Sequence, residues 1–360
     1  MMLSRRQQID SLTGLRGVAA CWVMLMHFRE VTPTRIWQFP ILDSIIANGA
    51  YGVDVFFVLS GFVISYAYEA SFSSRLRWND VYLFLAYRFA RIYPVHLATF
   101  VYMELLFVAA ILTSRSHGLP NRYDPITLLS SLTLTHDWIP GVQTPNMPAW
   151  SVSAEWFAYI LFPALSFVLS RTRWSVLVFI VTGVGLGWFQ RLGTYGPAHV
   201  LSGFLLGMAA YQLRPYLSRI SGICIAGPVV AATIVFWART PEPPVAAGLL
   251  LFAVLVITLA NPRDFLSRVL SRPATVYLGE ISYSLYMVHW PVRVTIRYGL
   301  DAAGFLNLIQ PPILVFLYIS ASLMVAVASY HYIEIPGRSR LRRMAGVPGR
   351  SQVSPAVSRV

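Results

Sequence analysis

Residues 12–28 read LTGLRGVAACWVMLMHF, an apolar run whose basic side chains are Arg16 and His27 alone. With its flank to residue 29 this run approaches the roughly 20 residues that cross a bilayer core. Comparable stretches recur near residues 50–69, 93–113, 150–170, 175–191, 196–213, 222–238, 244–260, 277–297 and 311–333. The pattern predicts an all-α, polytopic integral membrane protein of about ten transmembrane helices.

Composition agrees with that reading. The chain of 360 residues is 56% hydrophobic and only 12% charged, which excludes an ordinary soluble domain. All 28 basic residues are arginines, and they give a net charge of +13. They fall between apolar runs, not along one stripe with interleaved aromatics, so nucleic acid is not the expected partner; the lipid bilayer is. With the N-terminus inside, 19 arginines fall on inner segments, 8 on outer segments or outer helix ends, and Arg16 within a span. This bias predicts both termini in the cytoplasm.

The run at 126–135, ITLLSSLTLT, is too short and hydroxyl-rich to cross alone and is expected at the surface or as a re-entrant segment. Residues 114–149, rich in Pro, Asn, Asp and Gly, form a long outer segment able to cap a site. The first run lacks a cleavage pattern and is expected to be retained as a helix. Cys21 and Cys224 lie apart in apolar runs, as small hydrophobes, so no metal site is expected. The chain divides into a transmembrane domain, 1–336, and a basic, disordered cytoplasmic tail, 337–360.

Several side chains within the spans suit chemistry. Arg16 and His27 are 11 residues apart, which puts them on one helix face about 16 Å apart in height. Buried ionisable groups belong in a bundle interior or wet cavity, although snorkelling to a headgroup is the alternative for Arg16. An imidazole can take a proton from a hydroxyl. Asp54, in YGVDVFFVLSGF, either orients His27 or caps its own helix. Arg88 and Arg91 in AYRFARIYPVH share a helical turn before an expected break at Pro94; they suit a phosphate or simply follow the positive-inside rule. In PAWSVSAEWF, Ser151 is expected to cap a helix while Glu155 is a site carboxylate or a capping acid. The segment LGEISYSLYMVHWPV adds Tyr283, His289 and Trp290, with His289 at the depth of His27.

Taken in order, LTGLRGVAACWVMLMHF, YGVDVFFVLSGF, YRFARIYP, PAWSVSAEWF, LGEISYSLYMVHWPV and HYIEIP resemble the bacterial membrane-bound acyltransferase 3 family over residues 12–336. The resemblance implies a ten-helix enzyme of the bacterial cytoplasmic membrane that moves an acyl group, usually acetyl from acetyl-CoA, to a hydroxyl of a carbohydrate, glycolipid or oligosaccharide acceptor. It implies no bound cofactor, the acyl-CoA being a substrate. By position, Arg16 and His27 match the family's basic-x10-His motif, Arg88 and Arg91 its second basic motif, and Glu155 its WSxxxE position. Ala154 and Trp156 depart from the usual flanks of that glutamate, and no serine-hydrolase-like domain is expected after the core.

The expected mechanism places acyl-CoA phosphates at Arg88 and Arg91, its arm past Arg16, and His27 as general base with Asp54 or Glu155 fixing its tautomer. Trp150, Tyr283 and His289 are the expected substrate contacts. Transient acylation of His27 or Ser60 is a longer route, for which no activated serine is evident. The rival expectation is a transporter or flippase of a sugar-containing substrate, since buried Arg, His, Asp and Glu also describe a proton-coupled carrier.

Overall fold

The computed structural model describes residues 9–30, 39–113, 125–172, 174–189, 196–217, 226–239, 245–306 and 308–346. Every regular element among them is helical: α1 (Asp10–Arg29), α2 (Pro40–Ala47), α3 (Tyr51–Phe72), α4 (Trp78–Leu112), α5 (Pro125–Leu132), α6 (Trp150–Leu169), α7 (Trp174–Phe189), α8 (Gly196–Leu217), α9 (Ala226–Arg239), α10 (Val245–Leu259), α11 (Phe265–Leu270), α12 (Pro273–Glu280), α13 (Ser282–Ala302), α14 (Pro311–Ser329) and α15 (Ile335–Met344). Each of the ten apolar stretches falls on one or more of these helices.

Five helical segments are long and apolar enough to cross a membrane: α1, α3, α4, α6 with its leading turn, and the run from α14 to α15. The chain is a multi-pass membrane protein. Cys21 is a free thiol, half-buried as a small hydrophobe would be, whereas Cys224 lies outside the described residues.

Small residues set the closest crossing. A Cβ built on Gly61 of α3 would lie 2.1 Å from the carbonyl oxygen of Phe204, and one on Gly207 of α8 would lie 2.1 Å from that of Val58. The two helices therefore touch backbone to backbone, as membrane helices do where dispersion rather than hydrophobic exclusion holds them. α7 and α10 pack on the same α8, while α1 is wrapped by α3, α12 and α13.

Three expectations change. α4 runs through Pro94 without a break, a helix of 35 residues whose first half, carrying Arg88 and Arg91, continues the apolar half. Neighbouring protein satisfies what the proline removes from such a helix. Ser151 is not a cap: α6 begins at Trp150, and the Ser151 hydroxyl instead donates to the carbonyl of Pro148 (3.2 Å). The segment after Pro336 does not start as a disordered tail, because α15 continues to Met344 and is pinned to α4. Gly337 lies against Pro94, and the Tyr82 hydroxyl donates to the carbonyl of Ala345 (3.2 Å), so α15 runs antiparallel along the first half of α4. Residues 347–360 lie outside the described residues.

Between α14 and α15 the chain makes a π turn, Tyr330–Glu334. In the 126–135 run, α5 has eight residues and ends in a turn where Leu134 adopts φ of 60°, held by a bond from the Ser153 hydroxyl to its carbonyl (2.8 Å).

Candidate active site

α1, α3, α4, α6 and α13 enclose a cavity of about 110 Å³. Arg16 from α1, Ser60 from α3, Arg88 and Arg91 from α4, Glu155 from α6, and Tyr283 and Tyr286 from α13 line it. The Ser60 hydroxyl donates to Oε1 of Glu155 (2.7 Å), and Tyr159 joins both through its own hydroxyl. Glu155 and Arg16 interact electrostatically across the space. Glu155 therefore faces the cavity, one and a half turns into α6 and not at its cap.

The two arginines of α4 are buried and engaged. Arg88 donates to the Tyr68 hydroxyl (3.0 Å) and lies over that ring. Arg91 is ion-paired with Glu334 of the π turn, whose other oxygen accepts from Ser284 (2.7 Å). The Arg91 guanidinium also lies 5.7 Å from the centre of the Tyr283 ring. A continuous cationic wall thus lines one side of the cavity, and arginine forks suit phosphate.

At the other end of α1 a second cluster forms around His27, which is only 5% exposed. Its Nδ1 lies 3.3 Å from Oε2 of Glu30. Burial pushes the Glu30 carboxyl up, but bonds and charges from His27 and Arg293 outweigh it and hold the carboxyl below its ordinary value. An ionised carboxylate can only accept, so Nδ1 carries the hydrogen and Nε2 keeps its lone pair. Arg293 donates to the backbone carbonyl of His27 (2.8 Å), lies 3.5 Å from Glu30 and stacks 3.7 Å from the centre of the Trp290 ring.

His289 stacks on His27, with ring centres 5.3 Å apart at 21°. Its Nδ1 donates to the carbonyl of Leu285 (3.2 Å), and its buried Nε2 has no hydrogen-bond partner among the described residues. Tyr286 connects the two ends: it lines the cavity, and its ring centre lies 5.9 Å from that of His289. The Tyr286 hydroxyl is fixed by Ser151 (2.8 Å) and by the carbonyl of Pro148 (3.0 Å).

Neither Asp54 nor Glu155 meets the His27 ring. Asp54 accepts instead from Nε2 of His199 on α8 (2.7 Å), and Trp150 stacks on that imidazole with centres 5.5 Å apart. The geometric reason is that Gly61 brings α3 against α8, so the α3 carboxylate is presented to α8. Trp150 thus stands with the Asp54–His199 pair, and Tyr283 with Arg91 and Ile92 on the cavity wall. Among the described residues no group of three or more His, Cys, Asp or Glu stands together.

The segment before α6 roofs this region. The side-chain amide of Asn146 donates to the carbonyl of Met287 (2.9 Å), and the Trp138 indole donates to that of Ser153 (2.9 Å). Burial, with the neighbouring His96 ring, pushes the His136 imidazole down to about 4, so it is neutral. Burial pushes the Asp137 carboxyl up to about 7 against the opposing charge of His199. A Cβ on Gly196 would overlap that carboxyl, so the first residue of α8 must be glycine.

The model of a family described as an acyltransferase domain, acyltransferase 3, matches residues 9–331. The chain belongs to this family. As an acyltransferase it is 30% identical over 332 residues to the acyltransferase MdmB of Streptomyces mycarofaciens, covering 83% of this chain and 81% of that one. It is 27% identical over 381 residues to the peptidoglycan O-acetyltransferase OatA of Listeria monocytogenes, covering 92% of this chain. The acyltransferase spans little more than half, 56%, of the Listeria protein. No solved structure matches it.

Glu30, Arg293 and His199 of the acyltransferase escape a reading of sequence. Glu30 follows the last apolar residues of α1 and resembles a boundary acid, and Arg293 counts there as one more outer arginine. His199 stands in GPAHVLSGFLL, a lone imidazole in an apolar run, and only the α3–α8 crossing gives it a partner.

Proposed function

We propose that this acyltransferase moves an acyl group, most simply acetyl, from acyl-CoA to a hydroxyl of a carbohydrate or of a glycosylated or lipid-linked acceptor. Ten spans with both termini in the cytoplasm set the orientation in the bacterial cytoplasmic membrane. The donor enters the cavity from the cytoplasmic side with its phosphates at Arg88 and Arg91, and its pantetheine arm runs past Arg16. The acceptor approaches from the outer side, where His27 is the general base and Glu30 holds its tautomer.

In the reaction the acceptor hydroxyl gives its proton to Nε2 of His27 as its oxygen bonds to the thioester carbonyl carbon. The carbon–sulfur bond then breaks, and the CoA thiolate leaves and takes up a proton. Tyr286 and His289 lie between cavity and base, so the acyl end passes them. Asp54 has a positioning role, through His199, in the wall beside Trp150.

One observation carries this reading: a single helix, α1, presents Arg16 to the cavity and His27 to Glu30, about 16 Å apart, the order of an extended pantetheine arm. The relatives support it, since one is named an acyltransferase and the other an O-acetyltransferase of peptidoglycan, a carbohydrate-containing polymer. The test is release of CoA thiol from acetyl-CoA by the reconstituted protein, in the presence of candidate glycan acceptors. A His27→Ala protein that inserts normally yet transfers at the wild-type rate overturns it.

A further inference from the structure

The helix that follows the last span offers charge that the cavity's own residues do not balance. α15 carries Arg338, Arg340, Arg342 and Arg343 and lies along the half of α4 that holds Arg88 and Arg91. Arg338 faces Arg16, Arg91 and Arg342 closely enough to interact with each, and Arg342 faces Arg88 in the same way. Five guanidiniums, of Arg16, Arg88, Arg91, Arg338 and Arg342, thus share one region with two carboxylates, Glu155 and Glu334.

Arg342 is the informative member. Its guanidinium lies 4.8 Å from the centre of the Tyr87 ring, which holds it in place. Its Nε and Nη2 are buried from solvent and have no hydrogen-bond partner among the described residues. A buried guanidinium edge without an acceptor is costly, and an uncompensated group of cations more so. Nε and Nη2 are the two parallel donors of the arginine fork, the pair that matches two oxygens of one phosphate.

We propose that Arg342 and Arg338 of α15, with Arg88 of α4, form a binding site for a phosphate-bearing ligand, so that the segment after the last span is a working part of the site and not a tail. The ligand class is a phosphomonoester or pyrophosphate. Its two sources are the nucleotide end of the thioester donor and the headgroup of an anionic phospholipid. The nucleotide end is favoured, because the same arginines face the cavity through Arg16 and Arg91. That assignment rests on the proposed donor; the phosphate site itself does not.

The test uses the full-length protein in nanodiscs, once in phosphatidylcholine alone and once with phosphatidylglycerol added. CoA, 3′-dephospho-CoA, pantetheine and inorganic pyrophosphate are titrated against wild type, Arg342→Gln, Arg342→Lys and Arg338→Gln. In phosphatidylcholine, CoA and pyrophosphate are expected to bind wild type, and Arg342→Gln to weaken both by about tenfold, the scale of one charged fork. Arg342→Lys should restore part of the loss, which a folding defect does not do, and pantetheine should be indifferent to all three. Retention of pyrophosphate and CoA affinity within twofold in Arg342→Gln and Arg338→Gln, with no loss of bound phosphatidylglycerol by native mass spectrometry, overturns the site. If wild type binds pyrophosphate but not CoA, the donor reading fails and the phosphate site stands. If only bound phosphatidylglycerol is lost in Arg342→Gln, the site stands with the lipid as its source.

Discussion

Oε2 of Glu30 sits between Nδ1 of His27, at 3.3 Å, and Nη1 of Arg293, at 3.5 Å. This shared oxygen makes Glu30 the acid that orients His27, a place the sequence offers to Asp54 or Glu155. Glu30→Gln is expected to lower kcat by about tenfold or more while leaving the KM for acyl-CoA unchanged, because the donor cavity is at the other end of α1. Steady-state thiol release separates the two constants, and a variant with raised KM and intact kcat would contradict the assignment.

At the cavity the opposite split is expected. Arg88→Gln removes a buried guanidinium from the cationic wall and should raise the KM for the donor by about tenfold, with a smaller change in kcat. Equal kcat and KM effects on donor and acceptor would place Arg88 elsewhere in the reaction.

Asp54→Asn leaves His199 with a weaker partner in a packed wall and should cost about 1–3 kcal/mol of stability. The turnover of the protein that remains folded should stay close to wild type. Thermal unfolding in detergent, followed beside activity normalised to folded protein, distinguishes this from a direct role at His27.

Asp137 gives a dependence on pH. Its carboxyl titrates at about 7 in the folded protein against an ordinary value of 3.8, so the native state holds a proton that the unfolded state releases. Its contribution to stability is therefore full below about 4 and is lost as pH rises through 7. The melting temperature should fall across that window in wild type, and Asp137→Asn should flatten the fall. Parallel curves for the two proteins would remove Asp137 as the cause.

The α3–α8 contact is the most sensitive packing site. Gly61→Val would force side-chain atoms onto the carbonyl of Phe204, already 2.1 Å from a bare Cβ, and the helices must separate. A loss of folded yield or a melting temperature lowered by several degrees is expected, with no comparable effect at Gly185, where a Cβ meets nothing within 4 Å.

Much of this architecture is legible from residue pattern. The apolar runs locate the helices because lipid demands length and hydropathy, and the position of Arg16 and His27 on one face follows from helical rotation alone. The stacking of His289 on His27 agrees with the equal depth read from their helices. Partner choice is not legible, because it depends on rotation and crossing between helices distant in sequence. Asp54 meets His199 across 145 positions, and Arg91 meets Glu334 across 243. Pro94 misleads for a related reason: a proline breaks an isolated helix, but α4 is clamped by α15 along its flank.

The π turn at Tyr330–Glu334 makes the junction of α14 and α15 sensitive to chain length in a way that substitutions there would not reveal. A wide turn accommodates one more residue than an α-helical turn would. Deleting one residue from 330–333 would let ordinary α-helix run through and rotate everything beyond by about 100°. Glu334 would swing off Arg91, and the four arginines of α15 would be turned away from α4 together. The junction should thus accept exchanged side chains while rejecting single-codon deletions, a reading-frame constraint imposed by geometry.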